Sequence, residues 1–534
     1  MRRIKTGFLV LAAAVLLTFS ASGAVLADTA PVLQEDLGYG VRYAFSDTHT
    51  DSGALKIHTV SFRPSEKKAE LKLGLSHQSV SGVQHLLGMA EDGDDRYGGK
   101  VVAGINGGFF SMDTSVGHGI PFGFMVQDGE LYTSPPVPYQ GEPYPPNGCD
   151  AYCVAMYEDN TAFIDYAPWM DITLHVGEAS YTVNHINRLR MKGSCSVNCP
   201  DALVLYTDKF GASTRTDSSG GQEVVIRIQK GAVRGGDVLE GIVQRLSPSG
   251  VGDTAIPEGC VVLSSCDVHK EMLEKLRPGQ TVYISFTYEN ERWNRVKFAL
   301  GGVQFLIRDG RINPNLDGSG AYGGYSSPSP MTAVGVKEDG TVMLVTADGR
   351  QPGFSKGLTV WQMAQLLLEQ GCYNAMHLDG GGSTTMIAKS GGQLKLMNRP
   401  SDGAQRQVAN GILVVGYDEK QPGIGGAYHT LPTASVFTTA AASGTGISTR
   451  AATEAGEAQE PAQTPPPDTT KAVSESTAEI TRSGATATAS TDNGATKSAG
   501  SAPSLLPIMM IAGCAAVSVG AAGYLLWWKK RRLR

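Results

Sequence analysis

Val342-Met343-Leu344-Val345-Thr346-Ala347-Asp348-Gly349-Arg350 and, further on, Ala375-Met376-His377-Leu378-Asp379-Gly380-Gly381-Gly382-Ser383-Thr384-Thr385-Met386 are the two halves of the stretch that organises this chain. Each half is an apolar run that stops at an aspartate. Between them, Thr359-Val360-Trp361-Gln362 fits a capping box, with Thr as the N-cap and Gln three positions later. Val360, Met363, Ala364, Leu367 and Leu368 recur at helical spacing, and Gly371 supplies a stop. The order strand, Asp348, helix, strand, Asp379 reads as a βαβ unit. Its strands would be parallel and would release both aspartates at the same carboxyl edge, where open α/β sheets place ligands. Gly380, Gly381 and Gly382 carry no Cβ, so their amides can approach a ligand, and Ser383, Thr384 and Thr385 add hydroxyls. Two carboxylates, Arg350 and a glycine nest suit a polar or phosphorylated ligand. An isolated glycine triplet would otherwise be a plain turn.

Upstream, Val101-Val102-Ala103-Gly104-Ile105 has the same form: a buried strand followed by Asn106-Gly107-Gly108-Phe109-Phe110. Lys56 to Phe62 and Lys72 to Leu75 read as further strands, and Pro121 to Leu131 as a hairpin turning at Gln127-Asp128-Gly129-Glu130. Helical patterns are few: Ser81 to Ala90, Val268 to Leu276 and the capped segment after Thr359. The expected fold is α+β or mixed α/β, a strand-rich single catalytic domain with few helices over residues 33–418.

Composition sets the remaining organisation. Across 534 residues the net charge is −6, with no basic patch outside the last residues, which argues against a nucleic-acid partner. Residues 1–27 have a signal-peptide layout: Arg2, Arg3 and Lys5, then Phe8 to Phe19, then Val25-Leu26-Ala27. Residues 430–503 are rich in Ala, Thr, Ser, Gly and Pro and nearly devoid of aromatics, the composition of a disordered stalk. Residues 505–528 are uncharged and mostly apolar, long enough at about 1.5 Å per residue for one transmembrane helix. The basic residues 529–534 that follow would stay in the cytoplasm. The expectation is a cell-membrane protein, single-pass, with an extracellular ectodomain. Of the eight cysteines, Cys149/Cys153, Cys195/Cys199 and Cys260/Cys266 form close pairs that suit disulfides, with zinc as the competing reading for the first two. Cys514 falls within the apolar residues 505–528, and Cys372 is left as a buried thiol.

Taken together, these motifs resemble the phosphodiester glycosidase family. The resemblance runs through Ala103 to Phe110, Thr332-Ala333-Val334-Gly335, Asp348-Gly349-Arg350, Gly357-Leu358-Thr359, Leu378 to Met386 and Asn398-Arg399-Pro400-Ser401-Asp402. It implies a hydrolase that cleaves the glycosidic bond of a sugar-1-phosphodiester in a phosphorylated glycan and releases free sugar. On that reading Asp379 is the catalytic carboxylate and Asp348 serves acid/base chemistry or substrate positioning. Arg350 and Gly380 to Gly382 hold phosphate oxygens. Asn106, Ser383, Thr384, Asn398, Arg399 and Ser401 complete the substrate pocket. Two positions depart from the family pattern: Met331 stands where arginine is common, and His377 where asparagine is common. Met331 favours the alternative of a non-catalytic surface glycan-binding protein. The oxygens around Asp379 also suit a divalent cation such as Ca²⁺.

Overall fold

The computed structural model describes residues 30–50, 53–112, 119–135, 152–188, 190, 202–217, 220–266, 268–316 and 327–418. The expected leader, stalk, membrane span and basic tail lie outside the described residues, as do Cys149, Cys195 and Cys199. Among the described residues no helix is long and apolar enough to cross a membrane.

The two strands that end in aspartates, Val342–Ala347 and Cys372–His377, belong to one eight-stranded sheet, but they are not neighbours. Met331–Lys337 runs between them, antiparallel to each. Both flanking strands are therefore parallel, and both aspartates do leave at one edge. The expected adjacent βαβ pair is corrected by a hairpin: Gly340 turns Met331–Lys337 directly into Val342–Ala347, with Lys337 N–H bonded to the Thr341 carbonyl at 2.9 Å. Met331–Lys337, the strand that precedes Val342–Ala347 in the chain, thus takes the place between the two. Val342–Ala347 pairs on its other side with Gly53–Phe62, and Val41–Thr50 follows.

A five-stranded antiparallel sheet lies against it, in the order Gln393–Leu396, Met386–Ser390, Lys100–Asn106, Asn410–Gly416, Ala69–Leu75. Side chains alternate between the faces of both sheets. Val60, Phe62, Val334 and Leu344 of the first sheet share a core with Val102, Ile105, Ile412 and Val414 of the second. On the outer face of the first, Met331, Ala333, Val345 and Ala375 lie under helix α3, Val360–Glu369. On the outer face of the second, Val101, Leu413 and Val415 lie under helix α1, Leu86–Tyr97. The layers run helix, sheet, sheet, helix. Helix α2, Lys270–Lys275, completes the α-helices of the described residues.

Two further sheets share a separate apolar core. One is eight-stranded and includes Gln222–Lys230 and Cys260–Ser265; the other is five-stranded and centred on Val296–Gly302. Lys297 anchors the latter to the sandwich through a buried ion pair with Glu70, 2.9 Å long.

Among the described residues the expected disulfides are not formed. Cys260 opens its strand as a free buried thiol, and Cys266 follows the far end of the same strand. Such a strand spans roughly 20 Å, whereas bridged Cα atoms stand about 6 Å apart. Cys153 is also a free buried thiol. Cys372 is buried as expected, and burial pushes its thiol up to about 12.

His185 and His377 are buried, and desolvation holds each near 3 instead of the ordinary 6.5. Below pH 6.5 the unfolded chain takes up protons that the folded chain refuses until about 3, so stability falls with pH across that window. Denaturation midpoints measured from pH 7 to pH 4 should therefore decline less steeply for His377→Gln than for the parent protein. Parallel declines would remove His377 as a source of acid sensitivity.

Candidate active site

The site forms where the strands of both sheets end. Asn106 is the last residue of Lys100–Asn106 and is fully buried. Its Oδ1 accepts from the Thr332 hydroxyl at 2.8 Å and from the Thr385 N–H at 3.0 Å. Its Nδ2 donates to the Asp379 carbonyl at 2.7 Å, with a longer contact to the Gly107 carbonyl at 3.4 Å. Asn398 mirrors it. Its Oδ1 accepts from the Met386 N–H at 2.8 Å, and its Nδ2 donates to the Thr384 carbonyl at 3.0 Å and to Asp348 Oδ1 at 3.2 Å. The segment from Asp379 to Met386 is thus fastened at its start by one asparagine and at its end by both.

The glycines fit tight quarters. Gly381 has φ +60°, in the left-handed region, and a Cβ there would sit 3.0 Å from Arg350 Nη1. A Cβ on Gly382 would collide with the Asp402 carboxylate and the Arg406 guanidinium, which are paired with each other at 2.7 Å. The loop does not, however, offer the full nest of amides read from the sequence. The Gly381 N–H donates to the Pro330 carbonyl at 2.9 Å, and the N–H groups of Ser383 and Thr384 close a 3₁₀ turn. Ser383 Oγ lies 3.3 Å from Arg406 Nη1.

The two carboxylates occupy different environments. Asp348 is 1% exposed: Oδ1 accepts from the Arg399 N–H at 2.9 Å and from Asn398, and Oδ2 faces His58 Nε2 at 3.3 Å. Asp379 is only half-buried, and its N–H donates to the Gly107 carbonyl at 3.0 Å. Arg350 is exposed and holds a left-handed backbone, φ +57°, strained for a residue with a side chain. The short hairpin Gln351–Ser355 keeps it there, with the Arg350 N–H on the Lys356 carbonyl at 3.2 Å. Its guanidinium reaches the Ser329 hydroxyl at 3.4 Å, lies against Gly381 and has no ion pair among the described residues. Arg399 is exposed and lies 4.9 Å above the Phe354 ring. The hydroxyls of Thr384 and Ser401 are buried without a hydrogen-bond partner among the described residues.

The predicted residues therefore come together, but in different capacities. Arg350 is exposed, Asp379 is half-buried, and the Thr384 and Ser401 hydroxyls are enclosed. Asn106 and Asn398 direct their polar atoms at the protein. Met331 is fully buried in the apolar cluster under α3. His377 pairs directly across from Ala333, on the same face as Met331, and at about 3 it is neutral at physiological pH instead of titrating there. Among the described residues no group of three or more His, Cys, Asp or Glu is arranged to hold a metal ion, so the Ca²⁺ reading finds no side-chain cluster at Asp379. His58 and Tyr43 were not anticipated. The available signal was the strand Lys56–Phe62, in which His58 shares a face with apolar Val60 and Phe62.

Residues 229–415 match the family model of phosphodiester glycosidase. The chain is 32% identical over 173 residues to mouse N-acetylglucosamine-1-phosphodiester alpha-N-acetylglucosaminidase, covering 30% of this chain and 32% of that protein. It is 36% identical over 116 residues to the human protein of the same name, covering 20% and 21%. The chain thus spans about a third or less of these curated relatives. A crystal structure of a hypothetical protein from Synechocystis shares the fold, with a TM-score of 0.55 at 20% identity over 73% of this chain and 64% of that one.

Asn106→Asp would place a carboxylate oxygen against the Asp379 carbonyl in place of a donor. We expect a loss of about 2–3 kcal/mol in urea unfolding at neutral pH, since buried groups left unsatisfied cost this much. An unchanged midpoint would show that the clasp contributes nothing to stability.

Proposed function

We propose that this chain, which carries a phosphodiester glycosidase domain, hydrolyses the glycosidic bond of a sugar-1-phosphodiester in a cell-surface or environmental glycan. The observation that carries the reading is the exposed Arg350 guanidinium, which lies against Gly381 in the glycine loop that half-buried Asp379 opens and has no ion pair among the described residues. Cleavage breaks the bond between the anomeric carbon and a phosphate oxygen. The departing phosphate monoester needs little protonation, so the site must stabilise the oxocarbenium-like centre and place a water or nucleophile. Asp379 supplies the negative charge at that centre. Arg350 stabilises the phosphate as charge accumulates on its oxygens. The Thr384 and Ser401 hydroxyls, buried without a hydrogen-bond partner among the described residues, complete the polar wall of the pocket. Asp348, enclosed by Asn398, the Arg399 N–H and His58, acts in positioning. We further propose that the domain is exported and held at the cell membrane, on the strength of the signal-peptide layout of residues 1–27 and the apolar segment 505–528.

Met331 favours a second reading, a surface protein that binds the same glycan without turnover. A panel of sugar-1-phosphodiesters separates the two. Release of free sugar with a phosphate monoester left behind is the expected result, and binding without release would select the second reading. Asp379→Asn should abolish release while the protein stays folded. Arg350→Ala should weaken recognition by about 10- to 100-fold, the worth of a charge-assisted hydrogen bond to phosphate. Full activity in the Asp379 variant would remove that residue from the chemistry.

A further inference from the structure

We propose that Tyr43 and His58 are positioning residues of this site: together they fix the Asp348 carboxylate and, through it, the Asn398–Arg399 loop. The inference rests on the hydrolytic reading above for its functional consequence. It concerns a strand pair, Val41–Thr50 and Gly53–Phe62, that precedes the residues matched by the family model.

His58 Nδ1 stands 2.8 Å from the Tyr43 hydroxyl, and its Nε2 stands 3.3 Å from Asp348 Oδ2. Tyr43, His58 and Asp348 are 2%, 4% and 1% exposed. The imidazole is held in place by its neighbours, with the Phe45 ring centroid 5.0 Å away and the Tyr43 ring stacked at 6.2 Å. An ionised carboxylate can only accept, so Nε2 carries the hydrogen toward Asp348. In the tautomer with its hydrogen on Nε2, Nδ1 accepts from the Tyr43 hydroxyl, 2.8 Å away. Burial, and next the charges of Asp348 and Glu35, push the Tyr43 phenol up, which keeps it protonated and able to donate. Tyr43 thereby selects the tautomer that lets His58 serve as the donor to Oδ2. Oδ1 is already taken by Asn398 and the Arg399 N–H. Without His58, Oδ2 would be left unpaired in a buried position, and the carboxylate could relax only by turning away from the loop it holds.

The test combines a spectrum with kinetics. In ¹⁵N–¹H spectra of histidine-labelled protein, with the His58 signals assigned by their loss in His58→Gln, we expect a single Nε2–H tautomer, and a mixture of tautomers in Tyr43→Phe. With the sugar-1-phosphodiester released by the parent protein, His58→Leu should lower kcat by about 100-fold with KM nearly unchanged, the scale of a small misplacement of catalytic groups. His58→Gln, whose amide can still donate, should recover most of that loss. An Nδ1–H tautomer with a bare Nε2 facing Asp348 would overturn the proposal. So would a folded His58→Leu variant with undiminished kcat. If His58→Leu does not fold, the tautomer and the Tyr43→Phe spectrum decide. If the parent protein releases no sugar, the hydrolytic reading fails, while the spectrum still judges the Tyr43–His58 arrangement by itself.

Discussion

The bond from Asn106 Nδ2 to the Asp379 carbonyl, 2.7 Å long, is the constraint on which the site depends. Asp379 stands just beyond the last residue of its strand, where the chain passes into three glycines. Such a segment has little intrinsic preference for one path. The same asparagine joins the sheets: its Oδ1 takes a hydroxyl from Thr332 of the eight-stranded sheet and an N–H from Thr385, next to the first strand residue of the five-stranded sheet. One buried amide therefore fixes the spacing of two sheets and the course of the loop between them. An amide suits this task because it presents acceptor and donor on one planar group, and here both are engaged.

Asn398 extends the logic to the second carboxylate. It binds the far end of the same loop at Thr384 and Met386 and also reaches Asp348. The two aspartates are thus linked through hydrogen bonds and a short length of backbone, although neither lies on the other's strand. Their roles separate on burial. A carboxylate that is 1% exposed and faced by three polar partners within the protein has little left to offer a substrate. The Asp379 carboxylate is half-buried, at the start of the glycine loop that Arg350 touches at Gly381. The two carboxylates sit at the ends of parallel strands separated by Met331–Lys337, with Asp348 the deeper.

Much of this was legible in the sequence because it rests on local rules. The capping box forms as read, with Thr359 Oγ1 accepting from the Gln362 N–H at 3.2 Å and Gln362 Oε1 accepting from the Thr359 N–H at 3.0 Å. Gly371 follows the helix with φ +86°. The parallel direction of the two aspartate strands also held, although their adjacency did not, since pairing partners are chosen by tertiary contact. Helix α1 was misplaced for a related reason. Its last turns, Glu91-Asp92-Gly93-Asp94-Asp95-Arg96, look solvated and carry a glycine, yet Gly93 packs against the sheet, where a Cβ would crowd Leu413 and Val101. The asparagines were read as substrate ligands because a sequence shows a polar residue after a strand but not which atoms its amide meets. His58 escaped notice because its partners, Tyr43 and Asp348, are distant in the chain.

The two departures from the family pattern are easier to understand together than separately. Met331 lies two residues before Ala333 on its strand, and Ala333 pairs directly with His377. Positions 331 and 377 are therefore diagonal neighbours on the face covered by α3, within reach of long side chains. Both are uncharged in the folded protein, Met331 by its chemistry and His377 because burial holds it near 3. A guanidinium at 331 would enter a fully buried apolar cluster beside a neutral imidazole, and the desolvation of that charge would be costly without a carboxylate partner. Position 377 supplies none. The neutral pair is self-consistent, and on the proposed function the recognition of anionic oxygen falls to Arg350 at the exposed rim. There the guanidinium keeps contact with water, its attraction is screened, and selectivity must come from the geometry that the strained backbone at 350 and the glycine at 381 impose.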